Sequence, residues 1–238
     1  LLAVLLIPFW QNYWQALRLF HMHLNTLGLV GLAALGTLPV LMPTALGKPD
    51  PEAAGWLRRR LWLVASGALV VATGVVIAWP FAAPGALLIL VTALGLAGQW
   101  SRRFGMMAVL KDGVTASLFA SVVGLMISVL AGLLHGAGFV PTRPSLFAWA
   151  AGFLLPLVTG ALSQLLPVWR WPGPVIPARG IMRQKLAASG GLRGALFLAA
   201  ALVLILGWDR LGSGLLLAGL ALFVLGLAQA VRVQRSTR

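Results

Sequence analysis

The feature that most constrains the fold is a succession of long apolar runs, each ended by proline, glycine or charge. A helix that crosses a bilayer needs about 20 consecutive apolar residues. Charged residues make up only 9% of the chain, whereas soluble domains carry about 25%. The sequence therefore predicts an all-α integral membrane protein, a polytopic helical bundle with seven full spans. They are expected near residues 17–46, 61–80, 84–101, 113–135, 145–169, 193–208 and 213–231.

The first ten residues form a shorter apolar run. This run is too short for a full span and has no basic segment or cleavage site of a signal peptide. It predicts a partial N-terminal helix. We therefore expect residues 1–238 to form a single transmembrane domain that is the C-terminal part of a longer chain.

The distribution of basic residues tests this helix count. Of the 18 lysines and arginines, all but Arg18, Arg143 and Arg210 are predicted on one side of the membrane, with Arg193 counted in the long connection after Arg170. Because basic connections stay cytoplasmic, the pattern predicts a multi-pass protein of a bacterial inner membrane with a cytoplasmic C-terminus. The net charge of +14 then reflects topology and contact with the lipid bilayer, and no nucleic-acid partner is expected.

The spans lack residues that several functional classes require. No acidic or basic residue is expected in the middle of a span, which disfavours ion-coupled transporters and proton pumps. The chain has no cysteine, no phosphate-binding glycine loop and no H-E-x-x-H zinc motif. Ser163 and Gln164 lie deep in a predicted span, where such side chains more often hydrogen-bond between helices than bind a substrate.

The three histidines are predicted near one membrane face, opposite the basic connections. His21 and His23 begin one span, and His135 ends another. Two positions along a helix correspond to about 200° of rotation, so His21 and His23 point to nearly opposite faces and cannot easily share one metal. Neutral imidazole is the usual axial ligand of haem iron and also binds copper. The spacing therefore favours one site on each side of this helix.

These residues also have structural interpretations. His21 and His23 could be interfacial side chains that bond to Asn25 and to backbone carbonyls. His135 could cap the end of its helix, or it could be a second ligand or a hydrogen-bond partner of a haem propionate. Arg18 could pair with a propionate or extend to lipid phosphate.

Two segments resemble a known family. The run FHMHLNTLGLVGLAALGTLPVLMPTALG, residues 20–47, resembles a helix of the haem–copper oxidase subunit I superfamily, in which an H-x-H pair ligates two haems. The segment GALSQLLPVW, residues 160–169, is similar to one that closes a later helix in divergent oxidase-like membrane domains, including those associated with multicopper oxidases or of the NnrS type. The resemblance implies haem ligation by His21 and His23. An active oxidase needs more than three histidines, so it also implies a non-catalytic relative or ligands upstream of residue 1.

Together these features predict a haem b-binding membrane subunit, with one or two haems near the periplasmic face. The candidate cofactor-binding residues are His21, His23, His135, Asn25 and Arg18, of which the three histidines are the candidate metal ligands. The predicted role is electron transfer between quinol or a periplasmic redox protein and other redox subunits, within an oxidoreductase complex rather than as an independent catalyst. Two alternatives stay open: a cofactor-free membrane anchor or assembly subunit, and copper handling at the outer face by His21, Met22 and His23.

Overall fold

The computed structural model describes residues 13–233, in which all regular secondary structure is helical. Within this range, seven helical segments are long and apolar enough to cross a membrane, which confirms the predicted all-α polytopic architecture. They are Trp14–Ala45, Ala53–Ile77, Trp79–Phe104, Gly113–Gly136, Thr142–Arg170, Pro177–Ile205 and Asp209–Val231. The partial helix predicted at residues 1–10 lies outside the described residues.

Several spans contain more than one helical segment. The first consists of α1 (Trp14–His23), a first π-helical segment (Leu24–Gly31) and α2 (Leu32–Ala45). The next three contain α3 (Ala53–Ile77), a 3₁₀ turn (Trp79–Ala82) with α4 (Ala83–Phe104), and α6 (Gly113–Gly136), which follows the short α5 (Met106–Lys111). The fifth consists of α7 (Thr142–Trp149), a second π-helical segment (Ala150–Leu154) and α8 (Leu155–Arg170). The last two contain α9 (Pro177–Ala187) with α10 (Gly190–Ile205), and α11 (Asp209–Val231).

The connections between spans divide into two groups, because spans joined by short connections alternate in direction. We call one end of the bundle the basic side; it is formed by residues 46–52, 105–112 and 171–176 and by the end of α11. The opposite end, the histidine side, is formed by the start of α1 and by residues 78, 137–141 and 206–208. All three histidines lie near this second end.

Close contacts between spans depend on glycine. A methyl group on Gly124 of α6 would overlap the carbonyl oxygen of Gly152 in the second π-helical segment. A methyl group on Gly113, at the start of α6, would overlap the carbonyl oxygen of Ala187 in α9. In lipid there is little hydrophobic force between helices, so association relies on close packing and on hydrogen bonds between spans. Both glycine contacts hold α6 at the centre of the bundle.

Helix α9 differs from the sequence-based prediction of a long connection from Arg170 to Arg193. It is an amphipathic helix and belongs to the sixth span. Its buried residues Ala178, Met182 and Leu186 recur every four positions, which is the spacing of one helix face. Three basic residues on the remaining positions lower the mean hydropathy and hide this pattern from a search for apolar runs.

Arg193 lies inside the bundle, so the expectation that no charged residue occupies the interior of a span is wrong at this position. It is in the first turn of α10 and is 0% exposed. Its Nε donates to Thr159 Oγ1 at 3.1 Å, and its Nη2 donates to Ser163 Oγ at 3.3 Å. The Phe223 ring centroid lies 5.1 Å from the guanidinium carbon. Neutral acceptors and an aromatic ring thus replace part of the water that this cation has lost.

Ser163 and Gln164 hydrogen-bond to other helices, which confirms the expectation for these two residues. Ser163 accepts from the buried arginine, and Gln164 Oε1 accepts from Arg183 Nε at 2.8 Å. Arg183, in α9, also donates to both carboxylate oxygens of Asp112 at 3.0 and 3.1 Å, and to the Ala45 carbonyl oxygen at 2.8 Å. One side chain therefore connects α9 to the end of α2, the start of α6 and α8.

Candidate functional site

A cavity of about 210 Å³ lies near the histidine side, among the first five spans. Most of its lining is apolar and includes Leu19, Leu27, Val71, Val75, Val129 and Leu133. Among residues 13–233, no charged side chain lines it. The polar groups of this lining are two imidazoles, two indoles and the hydroxyl groups of Thr26, Ser128, Thr142 and Ser145. A mostly apolar cavity with a few convergent polar groups is typical of a ligand or cofactor site.

The two imidazoles in this cavity are those of His23, from α1, and His135, from α6. Nδ1 of His23 lies 2.8 Å from the carbonyl oxygen of Leu19, one turn earlier in the same helix. Nδ1 of His135 lies 2.8 Å from the carbonyl oxygen of Val140, in the connection after α6. A carbonyl oxygen can only accept, so each Nδ1 carries a proton, and the neutral form of each ring has its lone pair on Nε2.

The Nε2 atoms are the reactive positions of both rings. Nε2 of His23 has no hydrogen-bond partner among the described residues. Nε2 of His135 has one long contact, 3.4 Å, with the hydroxyl group of Thr142. A backbone carbonyl that fixes one ring nitrogen is the usual arrangement behind a metal-ligating histidine, since it orients the ring and sets its tautomer. Both imidazoles can therefore offer Nε2 to a bound group.

His21 is arranged differently. It is exposed on the surface of the bundle and does not line the cavity. Asn25 Nδ2 lies 2.9 Å from His21 Nε2 and also 2.9 Å from the His21 carbonyl oxygen. Because an amide nitrogen only donates, this hydrogen bond occupies the Nε2 lone pair. Arg18 is exposed as well and does not line the cavity. Of the predicted site residues, the structure brings His23 and His135 together in the cavity, and it pairs Asn25 with His21 outside it.

The first π-helical segment begins directly after His23, and its first polar side chains bond to the preceding turn. Asn25 donates to the carbonyl oxygen of His21, and Thr26 Oγ1 donates to that of Met22 at 2.9 Å. Each side chain thus bonds a carbonyl four residues earlier, the partner that a backbone N–H takes in an α-helix. π-Helical turns within α-helices frequently occur at functional sites. Sequence periodicity gives no indication of this segment.

Trp149 supplies a polar group that sequence reasoning misses. Its Nε1–H is buried without a hydrogen-bond partner among the described residues, and its side chain lines the cavity. The ring packs edge-on against Phe153, with 5.9 Å between ring centroids. A buried donor without an acceptor costs about 1–3 kcal/mol, and an acceptor on a bound molecule would remove that cost. Tryptophan is common at both ends of membrane helices, so its residue type alone gave no signal.

The cavity holds few protein ligands for a metal. Among residues 13–233, no three or more histidine, cysteine, aspartate or glutamate side chains form a group that could hold a metal ion. Two imidazoles could serve a group that brings most of its own ligands, as haem does, or a metal that also uses the sulfur of Met22, another lining residue. A haem is larger than this cavity of about 210 Å³, so it would fit only if the neighbouring spans moved apart. Comparison with protein-family models, curated proteins and solved structures finds no match for this chain.

Proposed function

We propose that this chain is a haem b-binding membrane subunit that transfers electrons near the histidine side, as its resemblance to haem–copper oxidase subunit I implies. The observation that carries the proposal is that His23 and His135, from different spans, line one mostly apolar cavity. Each ring is fixed through Nδ1 and keeps its Nε2 lone pair for iron. His23 and His135 would hold one haem, because His21 lies outside this cavity.

Bound haem would supply a one-electron redox couple. The protein would control it through its own groups: the carbonyls of Leu19 and Val140 orient the imidazoles and raise their basicity. The apolar lining excludes water and provides the low dielectric that helps to set the reduction potential. The described part of the lining offers no cation to neutralise the propionates of a haem.

The proposal includes a location and partners. The histidine side would face the periplasm of a bacterium, and the basic side and the C-terminus would be cytoplasmic, as the distribution of basic residues favours. Electrons would come from quinol or a periplasmic redox protein and pass to another redox subunit. A C-terminal fusion to green fluorescent protein is expected to fluoresce, and one to alkaline phosphatase to be inactive; the opposite pair of results would overturn this orientation.

A reduced-minus-oxidised spectrum of the purified protein tests haem binding. We expect a b-type α-band in the wild type that is lost in His23→Ala and in His135→Ala. The matched control is His21→Ala, which removes the same residue type from the same helix but leaves the cavity intact, so it is expected to keep the band. A band that disappears in His21→Ala and persists in His23→Ala would contradict the proposed ligand pair.

Copper handling is the second candidate, because Met22 lines the same cavity as His23 and His135. Two imidazoles and a thioether form a ligand set that suits copper. Elemental analysis distinguishes the candidates: copper without haem that is lost in Met22→Leu would favour copper, whereas a haem band that survives Met22→Leu would favour haem. A colourless and metal-free protein would favour the cofactor-free anchor or assembly subunit.

A further inference from the structure

A second cavity lies at the opposite end of the bundle, between the second and third spans on the basic side. Its volume is about 560 Å³. Four arginines line it, Arg59 and Arg60 from α3 and Arg102 and Arg103 from α4, together with a single acidic residue, Glu52. Four positive charges and one negative charge give this lining a formal charge of +3.

One of these four arginines forms ion pairs with carboxylates. Arg103 Nη1 lies 2.8 Å from Asp50 Oδ1 and 2.9 Å from Glu52 Oε2. Arg59, Arg60 and Arg102 form no hydrogen bond or ion pair with any residue in the described range 13–233. Each guanidinium carries five N–H donors. Three sets of donors, those of Arg59 and Arg102 on exposed side chains, therefore border one space without an anionic partner among the described residues.

The packing of the two spans leaves this space open. Nearer the histidine side α3 and α4 are in close contact, and a methyl group on Gly67 would lie only 2.8 Å from the carbonyl oxygen of Gly85. Toward the basic side, the Arg60 side chain extends across α4 at Gly95. A methyl group on Gly95 would lie 3.1 Å from Nη1 of Arg60. Trp56, which is 6% exposed, provides an apolar wall. Glycine in α4 thus makes room for a guanidinium next to the cavity.

We propose that this cavity binds a phosphate-bearing anion. The planar fork of a guanidinium matches the oxygen atoms of phosphate, and basic pockets between membrane helices are suited to anionic lipid head groups. A ligand with at least two negative charges, such as the head group of cardiolipin or inorganic diphosphate, offsets most of the excess charge of the lining.

The two sources of phosphate differ in what else they would contact. The side chains of Leu87, Val91 and Leu94 are exposed along α4, on the part of the helix that precedes the cavity. Acyl chains of a bound phospholipid would pack against this apolar surface, whereas inorganic diphosphate would gain nothing from it. The experiment therefore has one arm for each source.

A matched pair of triple variants separates the cavity from the general effect of charge. The cavity variant combines Arg59→Gln, Arg60→Gln and Arg102→Gln. The control variant combines Arg58→Gln, Lys111→Gln and Arg232→Gln, which removes the same charge from exposed residues that do not line the cavity. Size-exclusion chromatography and circular dichroism establish that both variants are folded. If the cavity variant does not fold, Arg102→Gln alone is compared with Arg58→Gln.

Native mass spectrometry in detergent, with cardiolipin, phosphatidylcholine or inorganic diphosphate added, measures binding. A basic residue near a membrane surface strengthens attraction to anionic lipid about fivefold, so three contribute about a hundredfold. We expect the cavity variant to bind cardiolipin about a hundredfold more weakly than the wild type, and Arg102→Gln alone about fivefold more weakly. The control variant and phosphatidylcholine binding are expected to stay near wild-type values.

The outcomes distinguish the sources and can overturn the proposal. Loss of cardiolipin binding in the cavity variant, but not in the control variant, assigns the site to a phospholipid. Loss of diphosphate binding in that variant, with cardiolipin binding unchanged, assigns it to a soluble phosphate compound. If neither ligand distinguishes the cavity variant from the control variant, the site does not bind phosphate and the proposal is wrong.

Discussion

Replacing Arg183 with glutamine tests whether one side chain connects the spans on the basic side. The substitution removes two hydrogen bonds to the Asp112 carboxylate, one to Gln164 Oε1 and one to the Ala45 carbonyl oxygen. Glutamine keeps part of the aliphatic stem, but its shorter amide cannot reach all three partners. We therefore expect the free energy of unfolding to fall without loss of the apolar contacts of α9.

The size of this effect follows from the number of bonds and their exposure. Hydrogen bonds to charged groups contribute about 1.5–3 kcal/mol each, so four fully buried ones would contribute about 6–12 kcal/mol. The Arg183 and Asp112 side chains are 27% and 28% exposed, so water replaces part of the lost interaction. Asp112 also keeps its bonds from the backbone N–H groups of Val114 and Thr115. After allowance for these effects, the free energy of unfolding is expected to fall by about 2–4 kcal/mol.

Titration of detergent-solubilised protein with dodecyl sulfate, followed by circular dichroism, measures this change in the free energy of unfolding. A double-mutant cycle with Asp112→Asn isolates the ion pair, because asparagine retains the N-cap of α6 but loses the charge. We expect a coupling energy of about 1–2 kcal/mol between the two positions. A loss below about 0.5 kcal/mol for Arg183→Gln, or strictly additive effects in the cycle, would refute the reasoning.

Three further predictions concern single residues and use the same unfolding measurement. Gly124→Leu is expected to prevent folding, because the side chain would overlap the backbone of the fifth span, whereas Gly214→Leu, with open space around it, is expected to fold normally. Arg193→Lys is expected to lower the free energy of unfolding by at least about 1 kcal/mol more than Arg193→Met, because lysine keeps a buried charge but loses the fork of donors. The hydroxyl groups that bond Arg193 still donate to backbone carbonyls in either variant. A methionine variant less stable than the lysine variant would contradict this account. Asn25→Ala is expected to lower the free energy of unfolding by about 1 kcal/mol while the haem band persists, and loss of the band would instead give Asn25 a direct role.

The spans could be predicted from the sequence because each must satisfy its backbone hydrogen bonds within one apolar helix. Helix α9 could not be predicted in this way, because its apolar residues occupy one face and its mean hydropathy is low. The burial of Arg193 could not be predicted for another reason. Its burial depends on Thr159 and Phe223, which are distant in sequence and come together only when α8 and α11 pack around α10. Local periodicity contains no information about such partners.

The candidate site was predictable in part. The two-residue spacing correctly separates the faces of His21 and His23, because it follows from helix geometry alone. The pairing of Asn25 with His21, one of the open structural interpretations, is present in the structure. Which histidine shares a cavity with His135 could not be predicted, because it depends on how α1 packs against α6. The free indole N–H of Trp149 likewise becomes visible only when every neighbouring acceptor is known.

The positions of the two cavities bear on how the protein could work. One lies on the histidine side and one on the basic side, and between them Leu35, Leu38 and Leu125 are almost fully buried in the apolar core. A solute pathway would have to connect the two cavities through this core, whereas the proposed electron transfer at one side needs only a redox centre near the surface of a partner. Energetic coupling between the sites would require an element with two arrangements that both ligands bias. The closely packed core favours a single arrangement, so we expect phosphate binding to anchor the bundle without changing the properties of the proposed redox site.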